Sequence, residues 1–260
     1  PKAIAARTRI AEINSETQVE PVIADVNNSN VEELIKDCDL VLDGTDNFQV
    51  RYLLNDACVK HDITWIYGAA VSSYGTTMTI IPSKTPCLRC IFEDMPDAGS
   101  SPTCDTAGVI MPIIATVSAV QVTEALKILV GDRESLHHSL IQFDVWQNDR
   151  QRIALGEPNP DCKTCGQHIY EFLDAESVEF SAVLCGRNAV QIAPPNPTRI
   201  DLVALAARLD SLGDVKQNEY LVRFSTVEAE VTVFRDARAI VKGTDDVSVA
   251  RSIYARFIGA

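Results

Sequence analysis

The chain has 260 residues, 46% of them hydrophobic, and its 36 acidic against 23 basic side chains give a formal net charge of −13. That charge argues against nucleic acid as a partner of the whole surface, without forbidding a local basic pocket for a phosphate. The length suits one or two globular domains; no apolar run approaches the ~18 residues of a membrane span, and the charged start has no signal-peptide stretch, so a cytoplasmic location is expected.

In chain order, residues 2–13 (KAIAARTRIAEI) read as an amphipathic helix with Ile4, Ile10 and Ile13 among small alanines. Alternation over 18–26 predicts a strand, 30–37 a short helix opened by Asn30, 39–43 a buried strand, and 47–61 a helix. Two strands follow at 64–71 and 75–82, joined by a Ser-Ser-Tyr-Gly turn. The segment EDMPDAGSSPTCDTAG is long and irregular, as functional loops are. A helix over 108–130 is apolar nearly all round, suited to a core or a subunit interface. Strands are expected near 139–145 and 150–155, then a helix at 200–212, strand-like runs EYLVRFS, AEVTVFRD and RAIVKG, and a helix at 246–258. The fold class expected is α/β: a mostly parallel sheet with flanking helices and an antiparallel part, followed by a small α+β domain over 169–260.

Eight cysteines are present, and four form two C-x-x-C knuckles, CLRC at 87–90 and CKTC at 162–165. Each knuckle puts two thiolates on one tight turn, the spacing that suits tetrahedral zinc. A large α/β chain does not need a disulfide framework, and a thioredoxin-like redox pair needs only one knuckle. Structural zinc is therefore expected at Cys87, Cys90, Cys162 and Cys165, closed to chemistry because all four ligands are sulfur. Cys38, Cys58 and Cys185 sit among apolar residues and are expected in the core. Cys104 lies in the irregular segment before the long helix, where a thiol tends toward thiolate; a passive loop thiol is the alternative.

The stretch LVLDGTDNFQVR, residues 40–51, runs from a strand into a helix and carries two acids three positions apart. Open α/β sheets bind ligands at the carboxyl ends of their strands, where a carboxylate can face a metal–phosphate group. Asp46 either does that or caps the next helix. Arg51, one turn on, either pairs with Asp46 or is an ordinary surface arginine, and Asp43 can cap a turn or bind water. Lys2 meets the positive end of a helix dipole, which is unfavourable unless an anion sits there; an exposed lysine near a chain end is the alternative.

The segments PKAIAA, DGTDNFQVRYLLND, PCLRCIF, TCDTAGVIMPIIATVSAVQVTEALKILVG and CKTCG together resemble, in order and spacing, the MoeB/ThiF/HesA family of adenylyltransferases related to ubiquitin-activating enzymes. The resemblance implies a Rossmann-like adenylation domain over residues 1–168, stapled by zinc, and an accessory domain over 169–260. It further implies that ATP and Mg²⁺ serve to adenylate the C-terminal glycine of a ubiquitin-like sulfur carrier with a Gly-Gly terminus, for thiamine or molybdopterin synthesis, in a homodimer. Asp46 matches the family aspartate that holds Mg²⁺, Asn47 its nucleotide-contacting neighbour, and Lys2 the lysine on the phosphates. Arg51 is expected to orient the acid, and Cys104 matches a cysteine that links covalently to the carrier in some members.

The family's glycine-rich phosphate loop, its acidic ribose contact and its Asn/Arg motif precede the matched segments and are not in this sequence. They are expected to belong to the protein, because a sheet without its first βα units exposes a raw edge and apolar faces. Two other readings compete: a catalytically silent partner or binding subunit, and an adenylyltransferase acting on a peptide or a transfer RNA base.

Overall fold

The computed structural model describes residues 1–96, 102–175, 180–184, 188–194 and 198–259. They form two compact units, Val26–Glu176 on one hand and Pro1–Asp25 with Ser177–Ala260 on the other. Helix α1 (Lys2–Ile13) begins the chain and buries none of its residues. Ile10 and Ile13, two of the apolar residues of the expected amphipathic helix, are exposed.

In the Val26–Glu176 unit the order is α2 (Val31–Ile35), β1 (Val41–Leu42), α3 (Phe48–Lys60), β2 (Trp65–Val71), β3 (Tyr74–Ile80), α4 (Leu88–Ile91), α5 (Cys104–Ala107), α6 (Met111–Leu129), β4 (Ser139–Asp144) and β5 (Asp149–Ala154). The five strands make one sheet in sequence order. β1 and β2 are parallel, with Val41 opposite Trp65 and Leu42 opposite Ile66. The pairings β2–β3, β3–β4 and β4–β5 are antiparallel. The α/β class therefore holds, but the sheet contains a parallel pair rather than being mostly parallel. One reason is local: residues 18–26 alternate as a strand should, yet no described strand flanks them, and they run without regular structure. Alternation suggests a strand, and only a partner makes one.

Side chains on one face of this sheet meet α3 in a core built around Trp65, Tyr52, Met78 and Ile80, all nearly inaccessible to water. Each such side chain contributes about 1.5–3 kcal/mol on burial. Helix α6 packs against β2 and β3, and two glycines set how close it comes. A Cβ on Gly68 would lie 2.5 Å from Gln121 Nε2, and one on Gly75 would lie 2.5 Å from a Val117 methyl. By length and composition alone α6 could cross a membrane, against the expectation from the sequence. It carries Gln121, Glu124 and Lys127, and both Gln121 and Glu124 are buried.

The turn between β2 and β3 has only Ser72 and Ser73 outside the ladder, with Val71 opposite Tyr74. Ser72 adopts φ +55, as the primed hairpin turns require. Its N–H donates to Gly108 O, and its carbonyl accepts from Ile110 N, so the entry to α6 is clamped to this hairpin. Cys58 is buried as expected, but Cys38 is exposed. Its place just past α2 puts it beyond the apolar face of Val31 and Ile35. Cys185 lies outside the described residues.

The other unit adds β6 (Phe180–Leu184), β7 (Ala189–Ala193), α7 (Leu202–Leu209), β8 (Asp214–Gln217), β9 (Leu221–Ser225), β10 (Glu230–Phe234), β11 (Ala239–Lys242) and α8 (Val247–Phe257). Its sheet is wholly antiparallel, in the order β6-β7-β11-β10-β9-β8. Alternate residues Val222, Phe224, Val231, Val233 and Val241 are buried with Leu205 and Leu209 of α7 and Ala250 of α8. Asp201 caps α7 by accepting from Val203 and Ala204 N–H, and Asp246 caps α8 in the same way.

Candidate functional site

Asp43 follows β1 directly, and its N–H continues the ladder by donating to Ile66 O at 3.0 Å. Gln121 of α6 donates its side-chain amide to Asp43 O at 2.9 Å and to Ile66 O at 3.0 Å. That single amide satisfies the carbonyls where the parallel pair ends, which is why the residue is buried. Asp43 then closes a turn by accepting from Thr45 N–H at 2.8 Å. The next cap belongs to Asn47, whose Oδ1 accepts from Val50 N–H at 2.9 Å and opens α3. The capping alternative for Asp46 thus falls to its neighbour.

Asp46 is exposed between these two fixed turns and makes no hydrogen bond or ion pair among the described residues. It stands beside the amino end of a thirteen-residue helix. A carboxylate there is favoured by the helix dipole and free to take a cation.

Arg51 does not pair with Asp46. Its Nε stands 3.4 Å from Asp43 Oδ2, with both side chains almost wholly buried, and its Nη2 donates to Thr45 O at 2.7 Å. The guanidinium also lies over the rings of Phe48 and Tyr67, at 5.8 and 5.7 Å from their centroids. It ties the acid turn to the helix rather than steering the acid itself. Burial pushes the Asp43 carboxyl above its usual range, with Arg51 and the Thr45 amide pulling the other way. Burial likewise raises the Tyr67 phenol.

Cys104 opens α5 behind the cap of Thr103 and is half-buried. Its thiol donates to Ala70 O at 3.3 Å. Ala70 lies towards the carboxyl end of β2, and the 43–47 turn lies at the carboxyl end of β1. Because those strands are parallel, Cys104 and the acid turn face the same edge of the sheet. Lys2 is exposed at the first position of α1 and belongs to the other compact unit.

The four knuckle cysteines come together. Their sulfur atoms all lie within 4.8 Å of one another, with Cys87–Cys90 at 3.9 Å, Cys87–Cys162 at 3.6 Å and Cys90–Cys165 at 3.3 Å. All four are free thiols. Four sulfurs bound to zinc at about 2.3 Å in a tetrahedron stand roughly 3.8 Å apart, so this donor set fits the ion. Hydrogen bonds from Cys165 and Cys87 hold the Cys90 thiol well below the ordinary thiol range.

Sequence reasoning missed the Asp43–Arg51 pair and the Gln121 amide. It also passed over Asn55 and Asp56, wholly buried on α3. Their signal was available: two adjacent polar residues inside the apolar run YLLNDACV.

Known proteins resemble this chain in sequence and in fold. The ThiF family profile matches residues 1–164. The chain is 42% identical over 261 residues to a sulfur carrier protein ThiS adenylyltransferase of Bacillus subtilis, covering all of this chain and 76% of that protein. It is 37% identical to a SAMP-activating enzyme E1 of Haloferax volcanii, over 70% of this chain and 67% of that one. Among solved structures, E. coli MccB with ATP superposes with a TM-score of 0.54 at 17% identity, over 64% of this chain and 51% of the other. At that identity it speaks for the fold alone, and the chain spans about half the length of such structures.

Proposed function

Because the chain belongs to the ThiF family, we propose that it is an ATP-dependent adenylyltransferase that activates the C-terminal glycine of a ubiquitin-like sulfur carrier. The similarity to a ThiS adenylyltransferase favours a ThiS-type carrier over a MoaD type, and the reading includes a cytoplasmic location and a homodimer. The division into an adenylation part, residues 1–168, and an accessory part, 169–260, accompanies that reading.

The observation that supports it best is Asp46: a solvent-facing carboxylate without a partner among the described residues, held between two hydrogen-bonded turns at the carboxyl edge of a parallel strand pair. Adenylation brings a carboxylate to an electron-rich α-phosphorus, so the site must neutralise charge and hold the two groups in line. Asp46 is the residue to hold Mg²⁺, which when bound supplies positive charge to the phosphates. Asn47 contacts the nucleotide beside it, and Lys2 supplies a cation for the phosphates. The buried Asp43–Arg51 pair keeps the turn from shifting as charge moves past it. Cys104, at the same edge, is placed to receive the activated carrier. The four cysteines hold zinc as a staple between two distant segments.

ATP–pyrophosphate exchange with a carrier ending in Gly-Gly tests this. Asp46→Ala should cut the exchange rate by about 10²–10³-fold, the loss typical of removing one transition-state charge stabiliser. Exchange at the wild-type rate in that variant defeats the assignment.

A further inference from the structure

Helix α3 begins with the capped turn beside Asp46, and three residues on one of its faces reach the two cysteine knuckles and the segment that follows the first. Asn55 Oδ1 accepts from Leu88 N–H at 2.8 Å, inside the first knuckle. Asp56 Oδ1 accepts from the Thr164 hydroxyl at 2.8 Å, inside the second. Its other oxygen accepts from Phe172 N–H at 2.9 Å, in the segment following that knuckle. The Tyr52 hydroxyl reaches the carbonyls of Phe92 at 2.9 Å and Asp94 at 2.8 Å, on the path towards Cys104. Spacings of three and four place these residues on one stripe of the helix. Asn55, Asp56 and Thr164 are fully buried, so the Asn55–Leu88 and Asp56–Thr164 bonds have no water to replace them. Glu171 joins the middle residues of the knuckles from outside, pairing with Arg89 at 2.7 Å and Lys163 at 2.8 Å.

We infer that Asn55 and Asp56 are positioning residues that couple metal occupancy of the four-cysteine cluster to the placement of α3, and so to the Asp46–Asn47 turn at its start. The inference rests on the four cysteines holding zinc. The coupling is mechanical. Zinc fixes the knuckles, the knuckles present Leu88 N–H and the Thr164 hydroxyl, and those two donors fix the middle of α3. Groups that orient a metal site from behind its ligands change metal retention when altered, by about 10–100-fold. Asn55 and Asp56 occupy that position here, and the helix that carries them begins at the Asp46–Asn47 turn.

The test measures zinc release to a chromogenic chelator and amide hydrogen exchange, neither of which depends on catalysis. Thr164→Val removes the hydroxyl at nearly constant volume, and Asp56→Asn leaves one acceptor where two donors arrive. Both should speed zinc release by about 10–100-fold, while Thr164→Ser, which keeps the hydroxyl, releases it at the wild-type rate. Ile113→Ala, which weakens the same unit away from the knuckles, should leave release unchanged. Stripping zinc from the wild type should raise exchange at the amides of 48–60 before those of β3. Wild-type release in both Thr164→Val and Asp56→Asn, or α3 amides indifferent to zinc, overturns the coupling while the zinc site stands. A wild-type protein that binds no zinc overturns the metal reading and the coupling together. If Asp56→Asn does not fold, Thr164→Val and Thr164→Ser decide the matter.

Discussion

The two units bury different things. Of the fifteen polar or charged side chains buried among the described residues, Gln191 alone belongs to the unit containing the six-stranded sheet. The others, including Asp43, Arg51, Asn55, Asp56 and Gln121, lie in Val26–Glu176. One unit is stabilised by alternating valines under two capped helices, much as any antiparallel sheet with helices on one face could be. The other accepts the desolvation of charges, which apolar replacements would avoid. What those charges provide is placement: each fixes a backbone turn, a helix or a knuckle. The Asp46 turn, on which the proposed chemistry rests, belongs to the unit that takes on polar burial.

Removing the metal ligands should widen this contrast most. With Cys87→Ser, or after chelation, calorimetry should move the transition of Val26–Glu176 to lower temperature while the other unit melts as before, and metal analysis of the wild type should find about one zinc per chain. Both units shifting together as a single transition would break the comparison. Next in size, Asp43→Ala leaves Arg51 buried without its partner and should cost about 3–5 kcal/mol in urea unfolding. Leu209→Ala in the other core should cost about 2–5 kcal/mol, with nucleotide exchange unchanged. Matched caps sharpen the point. Asn47→Ala and Asp201→Ala should each cost about 1 kcal/mol, but only the first should slow ATP–pyrophosphate exchange.

The smallest effect is on pH. Burial raises the carboxyls of Asp43 and Asp56 above their ordinary values, so between the unfolded and folded pKa values the native state binds more protons. Their contribution to stability is therefore full below about pH 3.9 and declines as pH rises through the folded values. Urea midpoints followed upward from acid should show that decline, and Asp56→Asn or Asp43→Asn should flatten it.

Much of this was legible because period and punctuation agree. The limits of α3 and α6 and the β2–β3 pair followed from apolar spacing, and the C-x-x-C knuckles named their own partners. Where legibility failed, the determining contact was distant or the signal was polar. β8 (DVKQ) is an exposed strand without apolar alternation, and the hairpin β6–β7 was not separated from the surrounding tail. Arg51 was referred to Asp46 by helix spacing, whereas the chain folds back at Thr45 and offers Asp43 instead. The strand expected at 18–26 has the right rhythm but pairs with no strand among the described residues.

Gly68 leaves no space between sheet and helix: even one added carbon there would collide with the Gln121 amide. That amide bridges two carbonyls just behind the Asp46 turn, so the wall of the proposed nucleotide edge is closely held. A visiting triphosphate would meet a preorganised surface, and its affinity would not be diluted by ordering the backbone on arrival. By the same reasoning, the discrimination between nucleotides at this edge would come from a rigid template rather than from closure around the guest.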